Sequence, residues 1–216
     1  RKALNTKLSE TQQQHAWLDW LKQQGLQALP WTEQAMQLRY RLQLMHQYMP
    51  EHAMPKVDDD SLWADAEVWL APALGRFTKL NDLNKLDLYT LLWQRLTYQQ
   101  QQLLNSCMPD SWRSAVGSMI PLYYSDEGEV VLSIRIQEMF GQLDTPTVAK
   151  GRLAMKIHLL SPARHPLQVT QDLASFWATS YAEVKKEMKG RYPKHYWPDN
   201  PAQAMPTNKT KKAMQK

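Results

Sequence analysis

Cysteine is nearly absent: Cys107 is alone among 216 residues. A lone thiol excludes an intrachain disulfide and a cysteine-rich metal knuckle, and it suits a reducing cytoplasm. Glycine is scarce as well, at seven. None of the seven falls in G-x-x-x-x-G-K-[ST], the loop whose amides and lysine cradle a triphosphate, and no D-E-x-H accompanies it to hold magnesium. Alone, the chain therefore lacks the means to hydrolyse ATP. No apolar run is long enough to cross a bilayer, and the N-terminus has no signal-peptide pattern. No H-x-x-x-H or similar spacing supports a metal site. The first residue is Arg1 rather than Met, as expected of a piece of something longer.

What is present is a globular composition with one uneven property. Hydrophobic residues make up 43% of the chain, enough for one domain or two small ones. The net charge is +5, but from Lys185 to Lys216 nine basic residues face two acidic ones. That end carries +7 and leaves −2 for the remainder. Such a field attracts polyanions, nucleic acid above all, and acidic protein surfaces too, through forces that salt weakens.

The first half reads as helices. Ser9-Glu10-Thr11-Gln12 has the form of a capping box, and Ala16, Trp17, Trp20 and Leu21 form a stripe that Gly25 stops, predicting a helix over 10–24. Thr32 caps a second helix running to Met49, with Met36, Leu38, Leu42, Met45 and Met49 on its apolar faces. Three aspartates, 58 to 60, cap a helix that carries Leu62, Trp63, Ala66, Trp69 and Leu70 up to Pro72. Shorter helices follow, one capped by Asp87 and another by Thr97 with Gln100. The tryptophans at 17, 20, 63, 69 and 93 lie on these stripes, so core packing is their expected role.

From Trp112 the texture becomes β-branched and aromatic. Residues 120–124, a turn at 125–128 and the alternating run 129–137 predict a hairpin. Residues 152–161 predict a partner strand with Leu153, Met155, Ile157 and Leu159 on one face. Leu173, Phe176, Trp177, Tyr181, Val184 and Met188 then recur at helical spacing, with Thr170 as N-cap and Gly190 as stop. Beyond it, the prolines of Arg191 to Pro198 call for an extended run. The class is α+β: a helical N-terminal half, then a small antiparallel sheet and one long amphipathic helix. The expected divisions are a helical region over 1–109, an α+β domain over 110–200, and a disordered basic tail over 201–216 with too little to bury.

Four runs in this second half, QEMFG (137–141), HLLSPA (158–163), PLQVTQDLASFW (166–177) and KKEMKGRYPKHYWPDNP (185–201), resemble the C-terminal domain of HrpB-type helicases. Those are bacterial ATP-dependent RNA helicases of the DExH/DEAH class. Thinner likeness extends through LPWT (29–32) and DLNKLDL (82–88). The resemblance implies upstream motor domains in the same polypeptide that bind ATP and Mg²⁺, with no cofactor in this piece, a cytoplasmic setting, and RNA as partner.

The candidate RNA-binding residues are Lys185, Lys186, Lys189, Arg191, Tyr192, Lys194, Tyr196 and Trp197, with His195 among them. Cations neutralise phosphates while aromatic faces stack on unpaired bases. The same residues also fit anchors that pack the chain end onto the core, with the lysines as a solvated face. For the charges the RNA reading leads; for the aromatics the anchoring reading does. Arg135, Arg152, Lys156 and Arg164 are expected on the wet side of a half-buried sheet. Glu138, Asp144, His158 and His165 have the types for acid–base chemistry, but nothing in their spacing joins them, so no catalytic residue is assigned. The other partner consistent with the charged, aromatic end is a protein, docked without RNA contact.

Overall fold

The computed structural model describes residues 8–215, and the chain forms two compact units, Arg1–Leu104 and Asn105–Lys216. In the first, helix α1 (Glu10–Gln24) begins at a completed capping box: Gln12 N–H donates to Ser9 Oγ at 3.2 Å and Ser9 N–H to Gln12 Oε1 at 2.9 Å. It ends at Gly25, whose φ of +83° is open to glycine at little cost. Helix α2 (Glu33–Tyr48) starts under Thr32, which accepts from Ala35 N–H at 3.2 Å. The helix expected after the three aspartates is three short ones, α3 (Asp59–Ala64), α4 (Ala66–Trp69) and α5 (Ala71–Leu74). Pro72 sits in the first turn of α5, where its missing N–H costs no hydrogen bond. Asp87 caps α6 (Leu88–Trp93), and Thr97 with Gln100 box the start of α7 (Tyr98–Cys107).

Leucine and methionine, rather than tryptophan, fill this helical core. Leu21, Leu38, Leu42, Met45, Leu62, Leu70, Leu74 and Leu92 are fully buried. Of the five tryptophans expected there, Trp69 is buried and Trp17, Trp20, Trp63 and Trp93 are half-buried. An indole N–H needs an acceptor, which half-buried Trp17 finds in the Phe77 carbonyl and buried Trp69 in that of Leu62, both at 2.8 Å.

In the second unit the strands are β1 (Ser111–Arg113), β2 (Met119–Tyr124), β3 (Val130–Arg135), β4 (Thr147–Val148), β5 (Leu153–Ala154), β6 (Lys156–Leu160) and β7 (Pro166–Thr170). The hairpin is β2–β3, closed at Gly128, and the alternation along β3 holds: Val130, Leu132 and Ile134 are buried while Ser133 is exposed. The sheet itself is mixed, not antiparallel. Its order is β1-β2-β3-β6-β7, and β3 runs parallel to β6, with Leu132 opposite Ile157. A parallel neighbour demands a crossover. Residues 136–155 supply it, as a 3₁₀ turn (Ile136–Met139), a loop and the small β4–β5 ribbon.

The C-terminal helix also departs from expectation at both ends. Thr170 closes edge strand β7, and the cap is Asp172, whose Oδ1 accepts from Ser175 N–H at 2.9 Å. The helix then runs as α8 (Leu173–Ser175), a π-helical turn (Phe176–Ser180) and α9 (Tyr181–Arg191), passing through Gly190 to end at Tyr192. The wider π turn turns the stripe so that adjacent Phe176 and Trp177 both reach the core. After it the chain bends at 192–195, where His195 N–H donates to the Tyr192 carbonyl at 3.0 Å, instead of staying extended.

The segment expected to be disordered is laid against the unit. Pro201 and Thr207 are buried, Gly141 N–H donates to the Pro201 carbonyl at 2.8 Å, and Thr207 N–H donates to that of Gln137 at 3.0 Å. A final turn, α10 (Lys211–Met214), follows. Lys216, the last residue of the expected tail, lies outside the described residues.

Candidate nucleic-acid interface

Three of the sequence runs singled out above meet in space, and the 3₁₀ turn after β3 is where they meet. Gln137 to Phe140 are all buried there. Phe140 is the hub of an aromatic cluster, with the rings of Trp177, Tyr181 and Tyr196 centred 6.1, 6.2 and 6.3 Å away, the last two edge-on. Edge-to-face geometry of this kind adds to what area burial alone contributes. Trp177 Nε1 donates to the Gln142 carbonyl at 2.7 Å, and Tyr181 Oη to that of Pro198 at 2.9 Å. Burial pushes the Tyr181 phenol far above its ordinary pKa, with Tyr196 and Asp199 adding to the shift. Next to Phe140, Gly141 has φ +80° and a neighbour 2.7 Å from where a Cβ would sit, the Ala204 carbonyl oxygen.

The charged member of the turn is fully engaged, whereas the buried Gln137 Oε1 has no hydrogen-bond partner among the described residues. Glu138 is 3% exposed; its Oε1 accepts from Arg135 Nε at 3.0 Å and Nη2 at 2.8 Å, and its Oε2 from Ser114 Oγ at 3.2 Å. With these partners Glu138 is a structural ion pair, and neither His158 nor His165 is among its hydrogen-bond partners. Arg135 is likewise tied down, as is Lys156, which grips both oxygens of Glu129 at 2.9 and 3.0 Å. Gln137 Nε2 donates to His195 Nδ1 at 3.0 Å. Burial, then the Arg135 charge, lowers the His195 pKa, so this histidine is neutral at pH 7 and adds nothing to the basic field.

The candidate RNA-binding residues separate into three groups. Trp197 is 7% exposed and its Nε1 donates to the Tyr192 carbonyl at 3.1 Å; Tyr196 is half-buried against Phe140. Tyr192 is half-buried with its hydroxyl 3.3 Å from Ser161 Oγ and its ring edge-on to His195. Lys185 and Arg191 are held in ion pairs, with Asp199 and with Glu187. The Lys185 hydrogen bond and charge, with Lys189 beyond them, hold the Asp199 carboxyl below its ordinary range. Lys186, Lys189 and Lys194 form the third group, exposed and without an ion pair among the described residues.

Sequence reasoning did not foresee that the tail joins this group. Lys211 N–H donates to the Lys194 carbonyl at 3.0 Å and Lys211 Nζ to that of Pro193 at 3.2 Å, which brings exposed Lys209 and Lys212 to the same end. Gly141 and Gln137, which hold that fold-back, carried one signal in sequence: a glycine directly behind an apolar pair in QEMFG. Among the described residues there is no group of three or more His, Cys, Asp or Glu that could hold a metal, and no helix long and apolar enough to cross a membrane.

The chain is α+β, has no nucleotide-cradle motif in its sequence, and carries a lysine-rich turn in its second unit. The chain belongs to the family described as ATP-dependent helicase C-terminal, the HrpB C-terminal domain, which matches residues 69–201. Over 206 residues it is 45% identical to the ATP-dependent RNA helicase HrpB of Escherichia coli K12, covering 95% of this chain and 26% of that protein. A crystal structure of the E. coli DExH-box NTPase HrpB superposes with a TM-score of 0.88 at 44% identity, over 95% of this chain and 25% of that one. A crystal structure of the E. coli DEAH/RHA helicase HrpB gives 0.76 at 42% identity, over 89% and 24%. The chain thus spans about a quarter of the length of these relatives.

Proposed function

We propose that this chain is the accessory end of an ATP-dependent RNA helicase, adding RNA grip to motor domains that lie upstream in the cytoplasmic protein and bind ATP and Mg²⁺. Lys186, Lys189 and Lys194, exposed and without an ion pair among the described residues at an end held against the core, are the observation that carries this reading. A cation already paired with a carboxylate gains little from a phosphate; an unpaired one gains the release of condensed counterions. Strand separation belongs to the motor, and this domain raises the local RNA concentration on it. Docking to a protein through the aromatic end is the weaker reading, since Trp197 is buried and Tyr196 packs on Phe140.

The experiment is fluorescence anisotropy of a labelled RNA titrated with the chain at low salt, beside the variant Lys186→Ala/Lys189→Ala/Lys194→Ala. Binding that the triple substitution weakens at least about tenfold supports the reading. Absence of binding by the wild-type chain at low salt overturns it.

A further inference from the structure

We infer that the grip takes RNA by its phosphates alone, so that duplex and single-stranded RNA bind alike and no base is stacked or read. The inference rests on the RNA reading above and names the feature of RNA that the surface meets. A strand-selective grip needs aromatic faces open to unpaired bases. Sequence spacing provides three in the basic segment, Tyr192, Tyr196 and Trp197, and each is engaged. The Trp197 ring is buried, Tyr196 stands edge-on to Phe140, and Tyr192 is held between Ser161 and His195. They serve as the pins that fix the turn. On the sheet, Tyr123 is half exposed, but its row runs through Val131 to Lys156, whose charge is already matched by Glu129. No free cation flanks it in that row.

The free cations of the turn and tail are lysines, and the one arginine nearby, Arg164, is on the adjoining β6–β7 loop. Lys186 and Lys189 leave α9 three residues apart and so share a helix face. Lys194 projects from the following turn, and Lys209 and Lys212 are returned to it by the backbone bond from Lys211 to Lys194. The loop between β6 and β7 carries exposed Arg164 and is tied to the same turn through Ser161 Oγ and Tyr192 Oη, 3.3 Å apart. Lysine is a mobile point charge, suited to phosphate and poor at the planar, two-pronged contacts that discriminate base edges. Five lysines from three stretches of chain, beside one buried ring and two that are half-buried against protein partners, make a surface that senses charge density. A duplex, having the denser charge, is held at least as well as a single strand.

The test is competition. A labelled RNA bound to the full 216-residue chain is displaced by unlabelled single-stranded RNA, duplex RNA or inorganic polyphosphate at equal phosphate concentration and fixed low salt. The inference predicts displacement by all three, with duplex and single strand within about threefold of one another, and equal weakening of both in Lys209→Ala/Lys212→Ala. Tyr123→Ala leaves both unchanged. Single-strand displacement about tenfold stronger than duplex, or a failure of polyphosphate to compete, overturns the phosphate-only inference while leaving RNA binding intact. Absence of any binding by the labelled RNA overturns the RNA reading itself, a separate result.

Discussion

Gln137 and His195, 58 positions apart in sequence, are joined by a side-chain hydrogen bond of 3.0 Å. The bond fastens the turn that carries the basic residues to the buried crossover between the two parallel strands.

The burial of His195 makes the domain sensitive to acid. His195 is held below its ordinary value of 6.5 in the folded chain, by burial and by Arg135, so the unfolded chain binds the proton more readily. Folding stability contributed by the neutral ring is present above about 6.5 and is lost as pH falls through that value toward the lowered one. Thermal unfolding followed from pH 8 to pH 5 is predicted to show a steeper acid-side fall in Tm for the wild type than for His195→Gln. Equal pH dependence in the two contradicts this assignment.

Gly141→Ala and Gly190→Ala are predicted to act in opposite directions. At Gly141 the new Cβ meets the Ala204 carbonyl oxygen at 2.7 Å with φ at +80°, which costs about 2–3 kcal/mol. At Gly190, inside α9, nothing lies within 4 Å of the Cβ, and alanine stabilises by about 0.5–1 kcal/mol. Urea unfolding of the two variants measures both signs. Gly190, expected from sequence to stop the helix, is thereby read as an ordinary helical position.

Glu138→Ala strands Arg135 and Ser114 without their shared acceptor and is predicted to destabilise by roughly 3 kcal/mol. Glu138→Gln, which retains an acceptor oxygen, is predicted to cost less. The order of their urea midpoints checks this, and the opposite order would refute the ion-pair account.

Much of the local structure was legible in sequence, because caps and alternation are local chemistry. Ser9 with Gln12, Thr32, Asp87, and Thr97 with Gln100 each cap a helix, and the β3 alternation gave the right faces. Partners were not legible. Alternation says which side of Leu132 is buried, yet not that Ile157 runs beside it in parallel. The tail has no apolar period, and it is held by separate polar contacts, Pro201 to Gly141, Thr207 to Gln137 and Lys211 to Lys194, announced by little more than the glycine of QEMFG. At the interface the charges were visible. Which of them are free depends on distant acids, Asp199 for Lys185 and Glu129 for Lys156.

Those pairings separate lysines that look alike in sequence. Lys185→Met removes a cation already matched by Asp199 and is predicted to leave RNA affinity within about twofold of wild type, as expected when an ion pair on the surface is removed. Lys189→Met, one helical turn on, removes a free cation and is predicted to weaken binding several-fold at low salt. Anisotropy titrations of both variants decide between them. Truncation at Lys185 is not an equivalent test, because it also removes Tyr196 and Trp197 from the core around Phe140.

The most direct measurement is the salt dependence of RNA binding, plotted as the logarithm of the association constant against the logarithm of salt concentration, for the wild type and for Lys186→Ala/Lys189→Ala/Lys194→Ala. Each lost phosphate contact lowers the slope by about 0.7 to 0.9, so the triple variant is predicted to be shallower by roughly 2 to 3. An unchanged slope would mean that these lysines do not touch phosphate, and would contradict the proposed grip.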